Sequence, residues 1–368
     1  MKECVASRGS GGLKLLIAGG GTGGHVIPAI AVAREWLRRD ETRDVVFVGT
    51  QRGIESRLVP EAGLKLEFIR SAGLKGMGTV QLIHNILLLR LALWDSVAIL
   101  RRHHFAAAFG VGGYAAGPAM LSAILSGLPS VIFEPNAEAG FTNRVLADMA
   151  TRIAAGFPSV AERLGRRAVM TGCPVRAEFF QAPPPRPVPP YRIFITGGSQ
   201  GSRAVNRAVI EALKMLSSEN RRLRIVHQTG EREYQTVREA YAGINMEAEL
   251  APFFSDMAKR FAEADLIVCR SGAITVSEVA AAGRAAIFIP FGAATDSHQM
   301  RNAEELVRNG AARLIPEPEL SGSRLAREIL ALMDRPASLV ELGTRARELA
   351  RPQAAEKIVD LIEEVARS

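Results

Sequence analysis

Short apolar runs recur along the chain, and each is closed by a glycine-bearing or polar turn before apolar residues begin to return every three or four positions. The first run opens residues 13–25 (LKLLIAGGGTGGH), and runs at 44–49, 105–110, 130–133 and 151–155 predict further strands. Helical periodicity fills the intervals from Ile27, Thr79, Pro118 and Phe141. A second series repeats the plan, with predicted strands at 192–196, 223–227, 265–269 and 285–290 and helices from Ser202, Ser255, Ala273 and Asp296. Helical patterns from Ser321, Pro336 and Pro352 finish the chain. Strands alternating with helices predict parallel sheets, hence an α/β fold.

Between the two series lies the segment 181–190 (QAPPPRPVPP), six of whose ten residues are proline. Proline lacks the N–H that a helix interior or a central strand requires, so this segment reads as a stiff linker. The predicted organisation is one unit over 1–180, the linker 181–190, and a second unit over 191–351.

Each unit opens on the same device, a strand running through glycines into a helix: residues 13–25 in the first and 191–202 (YRIFITGGSQGS) in the second. Glycines permit a sharp turn and a close approach of backbone N–H groups to an anion, and the helix start adds about half a positive charge. Two such turns predict two phosphate- or nucleotide-handling units facing one cleft. Gly19, Gly21 and Gly24 match G-x-G-x-x-G, but a dinucleotide site also wants an acid at the end of the second strand. That place reads Gly49-Thr50-Gln51-Arg52, which argues against a nicotinamide enzyme. A G-K-[ST] triphosphate loop is absent as well.

His25 closes the first turn, where an imidazole can act as a general base or bind a phosphate. In the second unit, Arg270-Ser271-Gly272-Ala273 starts a helix suited to a diphosphate, and Glu278 lies where a carboxylate could accept from a ribose diol. Asp296 is a plausible N-cap that leaves His298 and Gln299 facing the cleft. The chain contains no D-x-D for a metal-held sugar nucleotide, so a metal-free, cofactor-free mode is expected.

The segment 82–100 (LIHNILLLRLALWDSVAIL) is too often interrupted by polar residues to span a membrane. On a helical wheel His84, Asn85, Asp95 and Ser96 share a polar arc, Leu82, Ile86, Leu89, Leu93, Val97 and Leu100 form a core stripe, and Ile83, Leu87, Arg90 and Trp94 form a second stripe beside it. Residues 65–104 hold six Lys or Arg against two acids. An apolar stripe ringed by positive charge predicts contact with an anionic membrane surface.

The net charge of +8 favours acidic partners, yet aromatic residues make up only 6% and are too scattered for a base-stacking surface, so nucleic acid is not expected. Three cysteines without C-x-x-C point to a reducing compartment without disulfides or structural zinc. The first dozen residues lack the apolar core of a signal peptide.

Taken in order, Gly20-Gly21-Thr22-Gly23-Gly24-His25, Gly112-Gly113-Tyr114 with Gly117-Pro118, Pro174-Val175-Arg176, Gly197-Gly198-Ser199-Gln200-Gly201 and the run Cys269–Ala273 through Glu278 resemble the MurG family of peripheral membrane N-acetylglucosaminyltransferases of peptidoglycan synthesis. The resemblance implies a GT-B architecture, two Rossmann-like domains with parallel sheets facing a central cleft, and a final helix, 352–368, that returns to the first domain. It implies transfer of GlcNAc from UDP-GlcNAc to the MurNAc 4-hydroxyl of undecaprenyl-diphospho-MurNAc-pentapeptide, with inversion, at the cytoplasmic face of the plasma membrane. Proteins of cell-wall synthesis and division are implied as candidate partners. Carried over by position, the substrate site is Thr22, Gly23, Gly24, Asn136, Arg176, Ser199, Gln200, Phe254, Ala273, Ile274, Thr275, Val276, Ser277, Glu278, His298 and Gln299, with Tyr114 on the acceptor side. His25 and Glu134 are the candidates for proton removal. Where the family usually reads His-Glu-Gln-Asn this chain has Phe133-Glu134-Pro135-Asn136, and Phe254 stands where isoleucine is common. A non-hydrolysing UDP-GlcNAc epimerase would share the architecture, but UDP release would then not depend on a lipid acceptor.

Overall fold

The computed structural model describes residues 12–70, 79–113, 115–219, 222–292 and 298–368, and for 79–87 the backbone only. Tyr114, Asp296, Lys75 and the side chains of Ile83 and Leu87 therefore lie outside the described residues.

Two parallel sheets carry the fold. The first comprises β1 (Lys14–Ala18), β2 (Asp44–Gly49), β3 (Lys65–Phe68), β4 (Ala107–Gly110), β5 (Ser130–Glu134), β6 (Arg152–Ala155) and β7 (Ala168–Met170), in the order β3-β2-β1-β4-β5-β6-β7. The second comprises β8 (Tyr191–Thr196), β9 (Leu223–Gln228), β10 (Glu247–Ala251), β11 (Leu266–Cys269), β12 (Ala285–Phe288) and β13 (Arg313–Leu314), in the order β10-β9-β8-β11-β12-β13. In each sheet the strand order reverses beside the first strand, between β1 and β4 and between β8 and β11. A crevice opens beyond the carboxyl ends of the strands at such a reversal, and both glycine turns sit there.

β4 and β11, on one side of each reversal, and their neighbours β5 and β12 are buried from end to end. Helices cover both faces of such strands, so the strands read as unbroken apolar runs. The short, half-exposed edge strands β3, β7, β10 and β13 lack that signature and are additions to the sequence-based pattern.

The helix Thr79–Arg102 corrects one expectation. Its buried face is Ala92, Ser96 and Ile99, packed on Ala116, Ala119 and Ala123 of the neighbouring helix, while Leu93, Val97 and Leu100 are only half-buried. Ser96, expected on a polar arc, is buried because its hydroxyl donates to the Ala92 carbonyl at 2.6 Å and its small side chain allows close approach. Trp94 is 76% exposed, and Arg90, one turn before it on the same helix, is exposed as well; Leu125, at the end of the neighbouring helix, is 71% exposed. Among the described residues no helix is long and apolar enough to cross a membrane.

The last helix, Ala354–Arg367, returns to the first sheet and packs on the helix Gly23–Arg38 and on β4, β5 and β6. Ile358, Ile362 and Val365 are buried there, and Glu363 accepts from Arg39 at 3.0 Å and Arg43 at 2.9 Å.

Candidate active site

The first glycine turn is closed from two sides. Gly113 has φ +86°, and a Cβ there would lie 2.2 Å from the Gly20 carbonyl oxygen, so only glycine lets the loop after β4 lie against the loop after β1. Beneath the turn sits Glu55, fully buried, a residue that the sequence pattern does not single out. Its Oε2 accepts from Gly21 N at 2.8 Å, and its Oε1 accepts from the N and Oγ1 of Thr50, both at 2.9 Å. Gly21 therefore does not offer its N–H to an anion, contrary to the simplest expectation for this turn. The donors left at the helix start are those of Gly23 and Gly24, which have no intrahelical partner.

His25 lies in the first turn of that helix, with Nδ1 3.2 Å from Thr22 Oγ1. Burial lowers the imidazole pKa, and the carboxylate of Glu134 and the Gly20 carbonyl pull it only part of the way back. His298 from the second domain faces the same ring and lowers it further. The imidazole is therefore neutral at pH 7, the form that can take a proton.

Glu134, at the end of β5, is buried and its four acceptor positions are filled. Oε1 takes Asn136 N at 2.9 Å and Asn136 Nδ2 at 3.0 Å, while Oε2 takes Gly140 N and Asn143 Nδ2, both at 2.9 Å. These bonds fix the loop after β5. Phe133, one of the sequence departures, is core, stacked on Phe109 with centroids 6.4 Å apart.

Across the cleft, the second glycine turn follows β8. A Cβ on Gly201, at φ +73°, would lie 2.2 Å from the Thr229 carbonyl oxygen, so close packing again demands glycine. Ser199 and Gln200 are exposed at the tip of this turn. Gln228 holds it from beneath, donating to Thr196 Oγ1 and to the Gly198 carbonyl, both at 3.1 Å. The Oε1 of Gln228 accepts from Phe254 N at 2.8 Å, which leaves the Phe254 carbonyl as the backbone group there able to meet a base.

The helix Ala273–Ala282 begins at the end of β11 with no acid in its first turn. Within the run carried over from the resemblance, Val276 is fully buried core and the Ser277 hydroxyl donates back to the Ala273 carbonyl at 2.9 Å. The side chains of Val276 and Ser277 thus serve the helix, while Ala273, Ile274 and Thr275 present its amino end. Glu278 has a 13%-exposed side chain 3.7 Å from Arg176 of the first domain. Burial pushes its carboxyl up to about 7, and Arg176 offsets only part of that shift.

His298 and Gln299 open the helix His298–Arg308. Gln299 accepts from Phe291 N at 3.0 Å through Oε1 and from Ser271 Oγ at 2.7 Å through its carbonyl, so its amide NH2 remains for a ligand. One turn on, the buried Asn302 bonds to both domains, a second contributor that no motif announced. Among the described residues no cluster of His, Cys, Asp or Glu could hold a metal ion.

The geometry thus brings His25, Glu134, Asn136, Arg176, Glu278, His298 and Gln299 to one interdomain cleft with a helix start on either side. Arg90 and Trp94 belong to a helix flank of the first domain.

Comparison with known proteins agrees with this picture. Residues 15–155 match the glycosyltransferase family 28 N-terminal domain, and residues 192–364 match the glycosyltransferase family 28 C-terminal domain. The chain is 44% identical, over 96% of both lengths, to the UDP-N-acetylglucosamine–N-acetylmuramyl-(pentapeptide) pyrophosphoryl-undecaprenol N-acetylglucosamine transferase of Solibacter usitatus. It is 43% identical to the same enzyme of an Anaeromyxobacter species, over 96% of this chain and 94% of that one. The crystal structure of Acinetobacter baumannii MurG superposes with a TM-score of 0.79 at 34% identity, covering 96% of this chain and 99% of that one.

Proposed function

The chain belongs to the MurG group of glycosyltransferase family 28, and from that membership we propose how its cleft carries out the group's reaction. The enzyme moves N-acetylglucosamine from UDP-GlcNAc onto undecaprenyl-diphospho-MurNAc-pentapeptide, a step of peptidoglycan precursor synthesis.

In the proposed mechanism UDP-GlcNAc lies along the second domain. The ribose diol donates to Glu278, the uracil meets the Phe254 carbonyl, and the diphosphate faces Ser199 and the helix start at Ala273. Gln299 and His298 face the sugar. The MurNAc 4-hydroxyl approaches from the first glycine turn and attacks the anomeric carbon opposite the diphosphate. His25 takes the hydroxyl proton, the new C1–O4 bond forms, and the bond from C1 to the β-phosphate oxygen breaks with its electron pair leaving on UDP, so the configuration inverts. Glu134 does not take the proton in this reading, because four donors occupy its oxygens; it faces the imidazolium that forms and favours it. The observation that carries the assignment is the place of His25 in the first turn of the helix that follows the acceptor-side glycine loop, with Nδ1 at Thr22 Oγ1, and burial of the ring favours its neutral form.

Domain limits of 1–180 with 352–368, and 191–351, are part of the same proposal. It is supported by the return of the last helix to the first sheet and by the break between β7 and β8. Exposed Trp94 and Leu125 with Arg90 favour docking on the anionic cytoplasmic leaflet, where the lipid acceptor is held. Proteins of cell-wall synthesis or division are proposed as neighbours there on the family resemblance alone.

A transfer assay with labelled UDP-GlcNAc and a lipid-linked MurNAc acceptor tests the reading. Label should enter the lipid fraction with one UDP released per sugar. Consumption of UDP-GlcNAc without the acceptor, or an epimerised sugar, would overturn it.

A further inference from the structure

Asn302 is fully buried in the middle of the helix His298–Arg308, and all three of its amide bonds bear on the active site. Its Oδ1 accepts from Ala137 N at 2.8 Å, and its Nδ2 donates to Asn136 Oδ1 at 3.1 Å and to the Ser271 carbonyl at 3.2 Å. Ser271 immediately precedes the helix start assigned to the donor diphosphate. Asn136 and Ala137 belong to the first-domain loop that Glu134 anchors. The side chain therefore links the donor-side turn to the acceptor-side loop through Ser271, Asn302, Asn136 and Glu134 without an intervening gap.

We propose that Asn302 is a positioning residue that couples occupancy of the donor site to the placement of Glu134 and His25. The proposal rests on the reading of the cleft given above and extends it with a mechanism of domain closure. The physical reason is the cost of leaving amide groups unpaired. If the domains separate, Asn302 loses two of its three partners, and Ala137 loses the acceptor for an N–H that is buried in the closed arrangement. The bonds therefore hold only when both loops are in register, which sharpens closure into a two-position event. A diphosphate drawn to the helix start beside Ser271 steadies one end of the link. The other end then holds the Glu134 loop, and with it the carboxylate that faces His25. The pairing is also directional: Asn302 donates toward two carbonyl oxygens and accepts from one N–H, so neither aspartate nor leucine can replace it.

The test uses the full-length enzyme with N302L, N302D and N136A. N302L should lower kcat by about ten- to a hundredfold, the range expected when reacting groups are misplaced by about 1 Å, and, because coupling is reciprocal, should also raise the Kd for UDP-GlcNAc by calorimetry, by a smaller factor than the loss in kcat. N302D places an acidic oxygen against the Asn136 and Ser271 carbonyls, so its kcat relative to wild type should rise as pH falls and the new carboxyl protonates. In the double variant N302L/N136A the kcat loss should be close to that of the worse single variant, because both break one link. Equal kcat for N302L and wild type, or additive losses in the cycle, would overturn the proposal. If the variants fail to fold, wild-type hydrogen exchange decides the matter. The amides of residues 136–140 should exchange more slowly when UDP-GlcNAc is added, and unchanged exchange would overturn the coupling. Failure of wild-type transfer to the lipid acceptor would instead refute the reading of the reaction, since the exchange measurement needs no acceptor.

Discussion

Glu55 holds Gly21: the carboxylate Oε2 accepts the Gly21 N–H at 2.8 Å from beneath the first glycine turn. In a dinucleotide-binding domain an acid in this neighbourhood would accept from a ribose, whereas here the carboxylate is spent on the backbone of the turn itself. E55Q keeps an oxygen for the Thr50 donors but turns an NH2 toward Gly21 N–H. It should fold, keep UDP-GlcNAc affinity, and lose transfer through a higher acceptor KM. E55A strands three donors and should lower stability by about 2–4 kcal/mol in denaturant melts. An E55Q enzyme with wild-type acceptor kinetics would show that the tether plays no part in the acceptor site.

The Glu278 carboxyl, pushed up to about 7, gives donor binding a pH dependence of known sign. A ribose diol donates two hydrogen bonds, so it prefers the carboxylate, and UDP-GlcNAc should bind more tightly as pH rises through 7. Between pH 6 and pH 8 the calorimetric Kd should fall by about tenfold, since the ionised fraction rises by that factor. E278A should weaken binding by about 1.5–3 kcal/mol and erase the dependence. R176A, which removes the neighbouring positive charge, should move the transition to higher pH. A Kd that is flat with pH in the wild type would contradict the assignment.

His25 should govern a different limb. The profile of kcat/KM reports the free enzyme, and the lowered pKa of the imidazole places its acid limb there below the ordinary histidine value of 6.5. Activity should be lost as pH falls through that limb, because the protonated ring cannot accept. H25A should reduce kcat by about 10²–10⁴-fold with nearly unchanged donor affinity. A large rise in acceptor KM with kcat preserved would make His25 a binding residue instead.

Membrane docking is testable at residues whose exposure already argues against a core role. W94S/L125S should stay folded, bind UDP-GlcNAc normally and lose co-sedimentation with vesicles containing anionic lipid. R90Q/R101Q should weaken the same binding by about 2 kcal/mol and flatten its salt dependence, at about 1 kcal/mol for each basic residue. Arg102 contributes less in this scheme because it is paired with Glu67 at 2.6 Å. Vesicle binding by W94S/L125S equal to wild type would place the membrane site elsewhere.

The centres of both sheets were legible because a strand covered on both faces has to be apolar throughout. Residues 130–133 and 285–290 announce themselves for that reason, while β3, β7, β10 and β13 do not, since an edge strand shares its residues between core and solvent. Glycine turns and helix starts were legible because their backbone geometry restricts the residue type, as Gly113 and Gly201 illustrate. Glu55, Gln228 and Asn302 were not. Each is an ordinary polar residue on a helix or strand whose meaning comes from partners distant in sequence, in the case of Asn302 and Asn136 166 residues away. The helix Thr79–Arg102 misled for a related reason: hydropathy ranks Leu93 above Ser96, but a tight helix contact prefers the smaller side chain.

The return of Ala354–Arg367 to the first sheet also sets an order of assembly during synthesis. The segment that completes the first domain leaves the ribosome only after the whole of the second domain has emerged. The domain made first must therefore wait, its face over β4–β6 uncovered, while the domain made second has all its strands and can close on itself. Nascent chains lacking the final helix should expose the first domain to proteases and chaperones and leave the second compact, so a frameshift near the carboxyl terminus would damage the acceptor half rather than the domain that precedes it in the chain.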